Sequence, residues 1–253
     1  MSAGSRARSF DVAAARYEAA RPSYPPALFD AIEQLMGRPL AGVRVADVGA
    51  GTGIATRLLR ERGAEVIAVE PGGAMAAELR RVLPDVPLVR GDGNALPLAD
   101  SSCELLTYAQ SWQWTDTGRS VPEALRVLRP GGLLAIWWNT TAFDVPWIRA
   151  QHERIAYHCG IPARSPVRPD DHEAVRLAGL DGLEVTRRRI RWRRRVTLDT
   201  HLANIGSRSA LLVLGEDSSR AFLAEERRIL AQAFPAEVVE EVYVVDLLVA
   251  ARP

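Results

Sequence analysis

The sequence contains no lysine, so all 32 of its Lys+Arg charges are arginines, and 31 acidic residues nearly balance them. The formal net charge of +1 produces no overall field that would draw the protein toward polyanions. The two cysteines, Cys103 and Cys159, are too few for a disulfide framework or a metal cluster, which suits a reducing compartment. We therefore expect a cytoplasmic protein without a metal site.

Long apolar runs are also missing. No stretch approaches the ~20 apolar residues that cross a membrane, and the start, MSAGSRARSF, has no apolar segment typical of a signal peptide. We expect no membrane association. The 253 residues suffice for one sizeable domain. We predict a single domain over 1–253, with a helical leader at 1–40, a cofactor-binding core at 41–139, and substrate-side helices with the last two strands at 140–253.

Apolar runs rich in β-branched residues alternate with helical patterns, which is typical of βαβ units and a parallel sheet. The predicted strands are 43–48, 65–70, 86–90, 104–109, 132–138, 183–192 and 238–250. The predicted helices are 53–62, 73–83, 118–128, 144–160, 170–179, 199–214 and 217–233, and 10–37 reads as one or two helices broken by RPSYPP. We expect the RPGG at 129–132 to form a turn from helix to strand.

The stretch VADVGAGTGIATRLL, 45–59, ends a predicted strand and opens a predicted helix with a glycine-rich turn. Such a turn places a helix N-terminus and backbone N–H groups at the carboxyl edge of the sheet, where open α/β sheets bind ligands. The glycines follow the spacing Gly49-x-Gly51-x-Gly53, which is tighter than the dinucleotide pattern G-x-G-x-x-G and argues against a nicotinamide dehydrogenase.

Acidic residues follow the next two predicted strands. Glu70 lies 19 residues after Gly51, where a carboxylate can accept both hydroxyls of a ribose in hydrogen bonds of roughly 1.5–3 kcal/mol each. Asp92, in RGDGNALP, lies at the same edge and could accept a hydrogen bond from an exocyclic amine such as that of adenine. The pattern therefore predicts an adenosine held by two acids over a glycine turn.

The ordered set VADVGAGTG, VIAVEPGGAM, GDGNALPLAD, LLTYAQSWQWTD and EALRVLRPGGLLAIWWN resembles the class I S-adenosylmethionine-dependent methyltransferases. Within that class the chain is similar to the small-molecule enzymes related to trans-aconitate methyltransferase and the methyltransferase type 11 group. The resemblance covers about 10–140 and implies a Rossmann-like α/β fold. It also implies a mostly parallel seven-stranded sheet with helices on both faces, plus a helical leader and helical insertions that form a cap.

The resemblance also implies roles for particular residues. Asp47, Gly49, Gly51 and Thr52 would line the methionine part of S-adenosylmethionine, Glu70 would bind the ribose, and Asp92 and Gly93 the adenine. Gln110 would flank the transferred methyl group, and Tyr17, Arg21 and Tyr24 would close the leader over the cofactor. The rest of the implied cofactor set is Gly53, Pro71, Met75 and Asn94. S-adenosylhomocysteine would be the product.

The acceptor is predicted less directly. Trp112 and Trp114 follow the strand beside Gln110 and would form a substrate wall, although core packing explains them equally well. Arg208 lies in a predicted helical insertion and could hold a carboxylate, unless it is an ordinary surface arginine. Methyl transfer needs alignment more than acid–base help, and no catalytic base can be assigned. We expect a small-molecule acceptor with an oxygen nucleophile, for which a carboxylate is one form, and a monomer or homodimer.

The run RRRIRWRRR, 187–195, suggests an alternative function as an RNA methyltransferase. In a strand, Ile190, Trp192 and Val196 would share one face, and Arg187, Arg189, Arg191 and Arg193 would face water. A solvated strand face explains this pattern without RNA, and charged edge strands resist aggregation. The sequence argues against a nucleic-acid partner on these grounds. A non-catalytic regulator that binds S-adenosylmethionine is the other alternative.

Overall fold

The computed structural model describes residues 21–162 and 171–253, which form an α/β fold around a seven-stranded sheet. The strands are β1 Arg44–Val48, β2 Glu65–Val69, β3 Leu88–Val89, β4 Cys103–Ala109, β5 Leu128–Thr141, β6 Val185–Thr197 and β7 Val238–Ala251. The helices are α1 Pro26–Met36, α2 Ile54–Glu61, α3 Gly73–Val82, α4 Thr117–Val127, α5 Pro146–His158, α6 Asp171–Leu177, α7 Leu198–Gly206, α8 Ser209–Val213 and α9 Glu216–Ala233. A short 3₁₀ helix spans Trp112–Trp114.

The strand order is β3-β2-β1-β4-β5-β7-β6, and the pairs among β1 to β5 are parallel. The start of β5 exchanges backbone hydrogen bonds with Arg252, just past the end of β7, so β7 runs antiparallel to β5. The mostly parallel seven-stranded sheet predicted from the sequence is confirmed. Its carboxyl edge at β1, β2 and β4 is where the glycine turn and the acids of interest lie.

Helices cover both faces of the sheet around β5. Neighbouring residues of the strand point to opposite faces and therefore pack against different helices. Trp137 contacts Tyr24 and Phe29 of the leader region, with ring centroids 5.6 and 6.3 Å away. Trp138 packs instead on the apolar cluster that includes Ala124 of α4. The sequence explains this burial, since LLAIWW supplies apolar side chains to both faces.

The described residues fall into two compact units. The core unit comprises 23–139, 171–190 and 245–253, and the second unit comprises 21–22, 140–162 and 191–244. The chain leaves the core unit after Asn139, where the sequence also predicts a change of organisation. Tyr17 and the predicted helical stretch before Arg21 lie outside the described residues.

Several predicted boundaries are wrong. The RPGG stretch lies inside β5, because Gly131 and Gly132 pair with Arg252 and extend the strand. The predicted helix 199–214 divides at Arg208, whose extended backbone separates α7 from α8. The predicted strand 86–90 shortens to Leu88–Val89, whereas the predicted strand 183–192 continues to Thr197 as β6.

Candidate functional site

The glycine turn follows β1 as predicted, and all three of its glycines have positive φ angles, which glycine adopts without steric cost. A Cβ on Gly49 would stand 2.5 Å from the Cβ of Ser111, so this position also lacks room for a side chain. A Cβ on Gly51 would meet no atom within 4 Å. The turn therefore packs tightly on one side at Gly49 and faces open space at Gly51.

Backbone N–H groups of this turn are largely used within the protein. Those of Gly49 and Ala50 donate to Val69 O at 2.8 and 3.1 Å, and that of Gly53 donates to Ala50 O. These bonds tie the turn to the end of β2. The sequence predicts that N–H groups of this turn are available to a ligand, but Val69 O of β2 accepts two of them.

Glu70 connects the glycine turn to the segment that follows β2. Its Oε2 accepts a hydrogen bond from Gly51 N at 2.8 Å, and its Oε1 accepts one from Gly72 N at 2.7 Å. The side chain is only 6% exposed. An ionised carboxylate has about four acceptor positions, so each oxygen can accept one more hydrogen bond. Glu70 thus braces the turn and keeps capacity for a pair of ligand hydroxyls.

Asp47 lies under the turn and is fully buried. Its oxygens accept hydrogen bonds from Thr56 Oγ1 at 2.6 Å and Thr107 Oγ1 at 2.9 Å. Burial, together with the charge of Glu70, raises the pKa of Asp47 to about 6, against the lowering effect of the two threonine hydroxyls. This carboxylate links β1, α2 and β4 and fixes the base of the turn.

The loop after β3 carries Asp92, Gly93 and Asn94. Asp92 is exposed, and its Oδ1 accepts from Asn94 N at 2.7 Å, while Asn94 Oδ1 accepts from Asp116 N at 2.8 Å. A Cβ on Gly93 would stand 2.9 Å from both Tyr108 and Thr115. Packing therefore explains Gly93 without a ligand, and the carboxylate of Asp92 is exposed and accessible to one.

Gln110, directly after β4, has a φ of 57° in the left-handed region, which is strained for a residue with a side chain. Its N–H donates to Trp137 O at 2.9 Å, and its carbonyl accepts from Gln113 Nε2 at 2.7 Å. The next residue, Ser111, donates from Oγ to Val48 O at 2.6 Å. Sequence reasoning missed Ser111 and Gln113, and only the strand order shows that they join neighbouring strand ends.

The structure does not bring Trp112 and Trp114 together as a wall. The Trp112 side chain is 2% exposed, its Nε1 donates to Ala178 O at 2.9 Å, and its ring packs edge-on against Tyr108. Trp114 is 78% exposed. The 3₁₀ turn points these two indoles in different directions, so Trp112 belongs to the core and Trp114 to the surface.

Three more residues of the implied cofactor set lie in the core unit. Pro71 is exposed, and its carbonyl accepts a hydrogen bond from Arg90 Nη2. Met75 is half-buried in the first turn of α3, next to Gly72. Tyr24 is buried and packs edge-on against Trp137.

Arg21 and Arg208 belong to the second unit. Arg21 Nη2 donates to Ser207 O at 3.3 Å, next to Arg208 in the chain. Arg208 is half-buried and precedes α8. Burial raises the pKa of Tyr243, and the charge of Arg208 acts in the opposite direction on that hydroxyl. The prediction that Arg208 holds a substrate carboxylate stays a prediction.

The arginine run forms most of β6, and four of its side chains pair with acids. Within the core unit, Arg187 holds Asp246 through two hydrogen bonds of 2.7 and 2.5 Å and is 3% exposed. The prediction that the Arg187 side chain faces water is therefore wrong. Arg188 and Arg189 are both exposed, so the alternation of inward and outward side chains along the strand shifts at this point. The pairs in the second unit are Arg191–Asp144 at 2.7 Å, Arg193–Glu240 at 3.4 Å and Arg194–Glu241 at 2.5 Å.

Two observations test whether these residues fit the cofactor that the resemblance implies. The hydroxyl of Thr52 is buried and has no hydrogen-bond partner among the described residues, so it can bind a polar ligand atom. The neighbouring Gly51 faces open space on the side where a Cβ would project. Together with the acceptor capacity of Glu70, these features fit a polar ligand that crosses the glycine turn.

Neither a metal centre nor a membrane span is visible in the described ranges. No group of three or more His, Cys, Asp or Glu side chains in 21–162 and 171–253 is arranged to hold a metal ion. No helix in the same residues is long and apolar enough to cross a membrane.

Comparison with known proteins relates the chain to methyltransferases. A family model described as a methyltransferase domain matches residues 46–136. An uncharacterized methyltransferase of Mycobacterium tuberculosis is 37% identical over 224 residues, covering 88% of this chain and 86% of the relative. A malonyl-(acyl-carrier protein) O-methyltransferase of Enterobacter lignolyticus is 39% identical over 102 residues, 40% of each chain. A solved structure from Anaeromyxobacter dehalogenans, proposed to be a type II methyltransferase, has the same fold, with a TM-score of 0.66 at 23% identity over 92% of this chain and 98% of that chain.

Proposed function

Because the chain belongs to the class I methyltransferases, we propose that it binds S-adenosylmethionine over the glycine turn and methylates a small-molecule acceptor at oxygen. The observation that carries the proposal is the contact between Glu70 and Gly51. It joins the one buried carboxylate at the end of β2 to the glycine that faces open space, at 2.8 Å.

Each polar group of the site has a role in holding the cofactor. Glu70 would accept the ribose hydroxyls with the acceptor positions that Gly51 and Gly72 leave open. Thr52 would bond a polar atom of the methionine part, and Asp92 would accept from the adenine amine. Asp47 would act through the turn that it supports, because both its oxygens are bonded to threonines.

Bound S-adenosylmethionine supplies a methyl group on a positively charged sulfur that a nucleophile can attack directly. The chain then has to align the two reactants and exclude water, and alignment can contribute ~7–11 kcal/mol. Gln110 is held in a strained conformation at the end of β4, which is a common feature of functional positions. We assign it to the place beside the methyl group.

Chemistry around Gln110 favours an acceptor that is ionised without help from the protein. The acids at this edge, Asp47, Glu70 and Asp92, all accept hydrogen bonds from protein donors, and burial raises the pKa of Tyr108. A carboxylate acceptor needs no base, unlike a phenol or a carbon acid. The relative named as an O-methyltransferase supports oxygen as the atom methylated. Arg208 would bind the acceptor's anionic group.

The alternative of an RNA acceptor loses support from the ion pairs of β6. Arg187, Arg191, Arg193 and Arg194 each have an acidic partner, which lowers the positive potential available to phosphates. The neighbouring acids lie on β7 or just after β5, so four of the seven arginines of the run are paired within the sheet region that carries them.

Titration calorimetry of S-adenosylmethionine, S-adenosylhomocysteine and NAD tests the cofactor assignment. We expect the first two to bind and NAD not to bind. Glu70→Ala should weaken binding ~10-fold or more, since a charged hydrogen bond contributes roughly 1.5–3 kcal/mol. Glu65→Ala, at the exposed start of the same strand, is the matched control. No binding by the wild type, or tighter binding of NAD, would overturn the assignment.

An assay with labelled S-adenosylmethionine then identifies the acceptor class. Pools of carboxylic acids, phenols and bulk tRNA are offered in parallel, and label should appear in the carboxylic acids. Arg208→Ala should raise KM for such an acceptor while the cofactor affinity stays unchanged. Label that enters only the tRNA pool, and does so less at high salt, would establish the RNA alternative.

A further inference from the structure

Gln113 joins the carboxyl ends of two neighbouring strands with one side-chain amide. Its Nε2 donates to Gln110 O at 2.7 Å, directly after β4. Its Oε1 accepts from Trp138 Nε1 at 2.8 Å, near the end of β5. Gln113 is exposed, so core packing does not hold its side chain in place. The two hydrogen bonds instead fix the amide in one orientation.

The chemistry of the two partners requires a side chain that both donates and accepts, as the amide of Gln113 does. A carbonyl oxygen only accepts, and an indole N–H only donates, so the bridge needs one donor and one acceptor on the same side chain. A glutamate could accept from Trp138 but could not donate to Gln110. A leucine could do neither.

Gln110 needs external support because the left-handed region is sterically unfavourable for a residue with a side chain. Trp137 O holds its N–H on the β5 side, Gln113 holds its carbonyl, and the adjacent Ser111 is bonded to the end of β1. The corner after β4 is thus tied to both neighbouring strands, and Gln113 supplies the one tie that comes from a replaceable, exposed side chain.

Trp138 gains a fixed ring orientation from the same bridge. Its ring is half-buried against the cluster that includes Tyr108 and Ile136, and its nitrogen is held by Gln113. It stands at the strand end next to Gln110, where the sequence predicts Trp112 and Trp114 as a substrate wall. An indole there offers a large and rigid apolar surface to an acceptor.

We infer that Gln113 is a positioning residue, which joins Gln110 to Trp138 and thereby sets the methyl-side surface of the site. Trp138 is then the aromatic contact for the acceptor. This inference rests on the proposed function, because it takes Gln110 to lie beside the methyl group that S-adenosylmethionine carries and S-adenosylhomocysteine lacks.

Calorimetry with the two nucleosides, S-adenosylmethionine and S-adenosylhomocysteine, tests the inference on Gln113→Leu, Gln113→Glu and Trp138→Phe. Gln113→Leu should weaken S-adenosylmethionine about 2- to 10-fold, as expected for a lost neutral hydrogen bond, and change S-adenosylhomocysteine less than about 2-fold. Gln113→Leu combined with Trp138→Phe should have little more effect than either change alone, because both remove one bridge. Gln34→Leu, another exposed glutamine of the core unit, should leave both affinities unchanged.

The indole N–H resonance of Trp138 in ¹⁵N-labelled protein gives a readout that does not depend on any ligand. It should move in Gln113→Leu and stay near its wild-type position in Gln113→Glu, which keeps the acceptor oxygen. An unmoved resonance in Gln113→Leu, or equal losses for the two nucleosides, would overturn the positioning role. A wild type that binds neither nucleoside would instead refute the proposed function itself.

Discussion

Ser111 and Gly49 lie so close that a Cβ on the glycine would stand 2.5 Å from the Cβ of the serine. Ser111 cannot move away easily, because its hydroxyl is bonded to Val48 O at 2.6 Å. The first glycine of the turn is therefore required by packing between the ends of β1 and β4. The second, Gly51, has no such neighbour, and this difference separates a structural glycine from one that leaves room for a ligand.

Gly49→Ala should lower the free energy of unfolding by roughly 2–5 kcal/mol, from a left-handed alanine and an overpacked contact. Gly51→Ala should cost only the backbone strain of roughly 1–2 kcal/mol, yet weaken S-adenosylmethionine by ~10-fold or more, because its Cβ enters the ligand's space. Urea unfolding and calorimetry measure the two effects. Gly37→Ala, also at positive φ with open space, is the control and should leave ligand affinity unchanged. Equal ligand affinity in Gly51→Ala and the wild type would contradict the assignment.

The parallel core could be predicted because its strands are buried, short apolar runs between clear turns. β1, β2 and β4 lie within one residue of their predicted bounds. Boundaries that depend on distant partners could not be predicted. β5 begins at Leu128 because Arg252, more than a hundred residues later, pairs with Gly131 and Gly132.

Spacing along the chain predicted the acid beside the glycine turn, since consecutive parallel strands end at the same edge. It could not predict which indole lies beside Gln110. Trp112 and Trp114 follow β4 directly in the chain, but the 3₁₀ turn buries the first and exposes the second, and strand pairing places Trp138 beside Gln110. The partners of the arginine run were equally hidden, because they depend on the register of β6 and β7.

Trp112→Ala should lower the free energy of unfolding by roughly 3–5 kcal/mol, because it removes a buried indole. The variant also leaves Ala178 O without its donor. Trp114→Ala should change stability by less than ~0.5 kcal/mol, since its ring is exposed. Urea unfolding of the two variants makes the comparison. A stable Trp112→Ala protein that loses only acceptor binding would restore the predicted substrate wall.

Asp47 should make the folded protein less stable as the pH rises. Its pKa is about 6 in the folded protein and 3.8 ordinarily, so the folded state holds the proton more tightly than the unfolded chain does. The resulting stabilisation is fully present below pH 3.8 and is lost as the pH passes 6, a difference of about 3 kcal/mol. Asp47→Asn removes this contribution. The unfolding free energy of the variant minus that of the wild type should therefore increase from pH 4 to pH 7 in urea titrations, and a difference that does not vary with pH would refute the raised pKa.

Arg194 and Arg193 are adjacent in β6 and should differ sharply in their importance. Arg194 is 19% exposed and pairs with the buried Glu241, whereas Arg193 is 72% exposed and lies 3.4 Å from a partly exposed Glu240. Removing one partner of a buried pair costs roughly 3–5 kcal/mol, and an exposed pair contributes about 0–1 kcal/mol. Arg194→Met should therefore destabilise the protein strongly and Arg193→Met hardly at all.

The pH dependence of Arg194→Met provides a second measurement. Burial raises the pKa of Glu241, but hydrogen bonding to His201 and the charges of His201 and Arg194 outweigh it and lower the pKa to about 2. The stabilisation from this carboxylate is present above its ordinary pKa of 4.5 and is lost as the pH falls toward 2. Without Arg194 the pKa of Glu241 rises, so acid unfolding should begin at a higher pH than in the wild type or in Arg193→Met. Identical acid-unfolding midpoints for the two variants would show that Arg194 does not stabilise the charged form of Glu241.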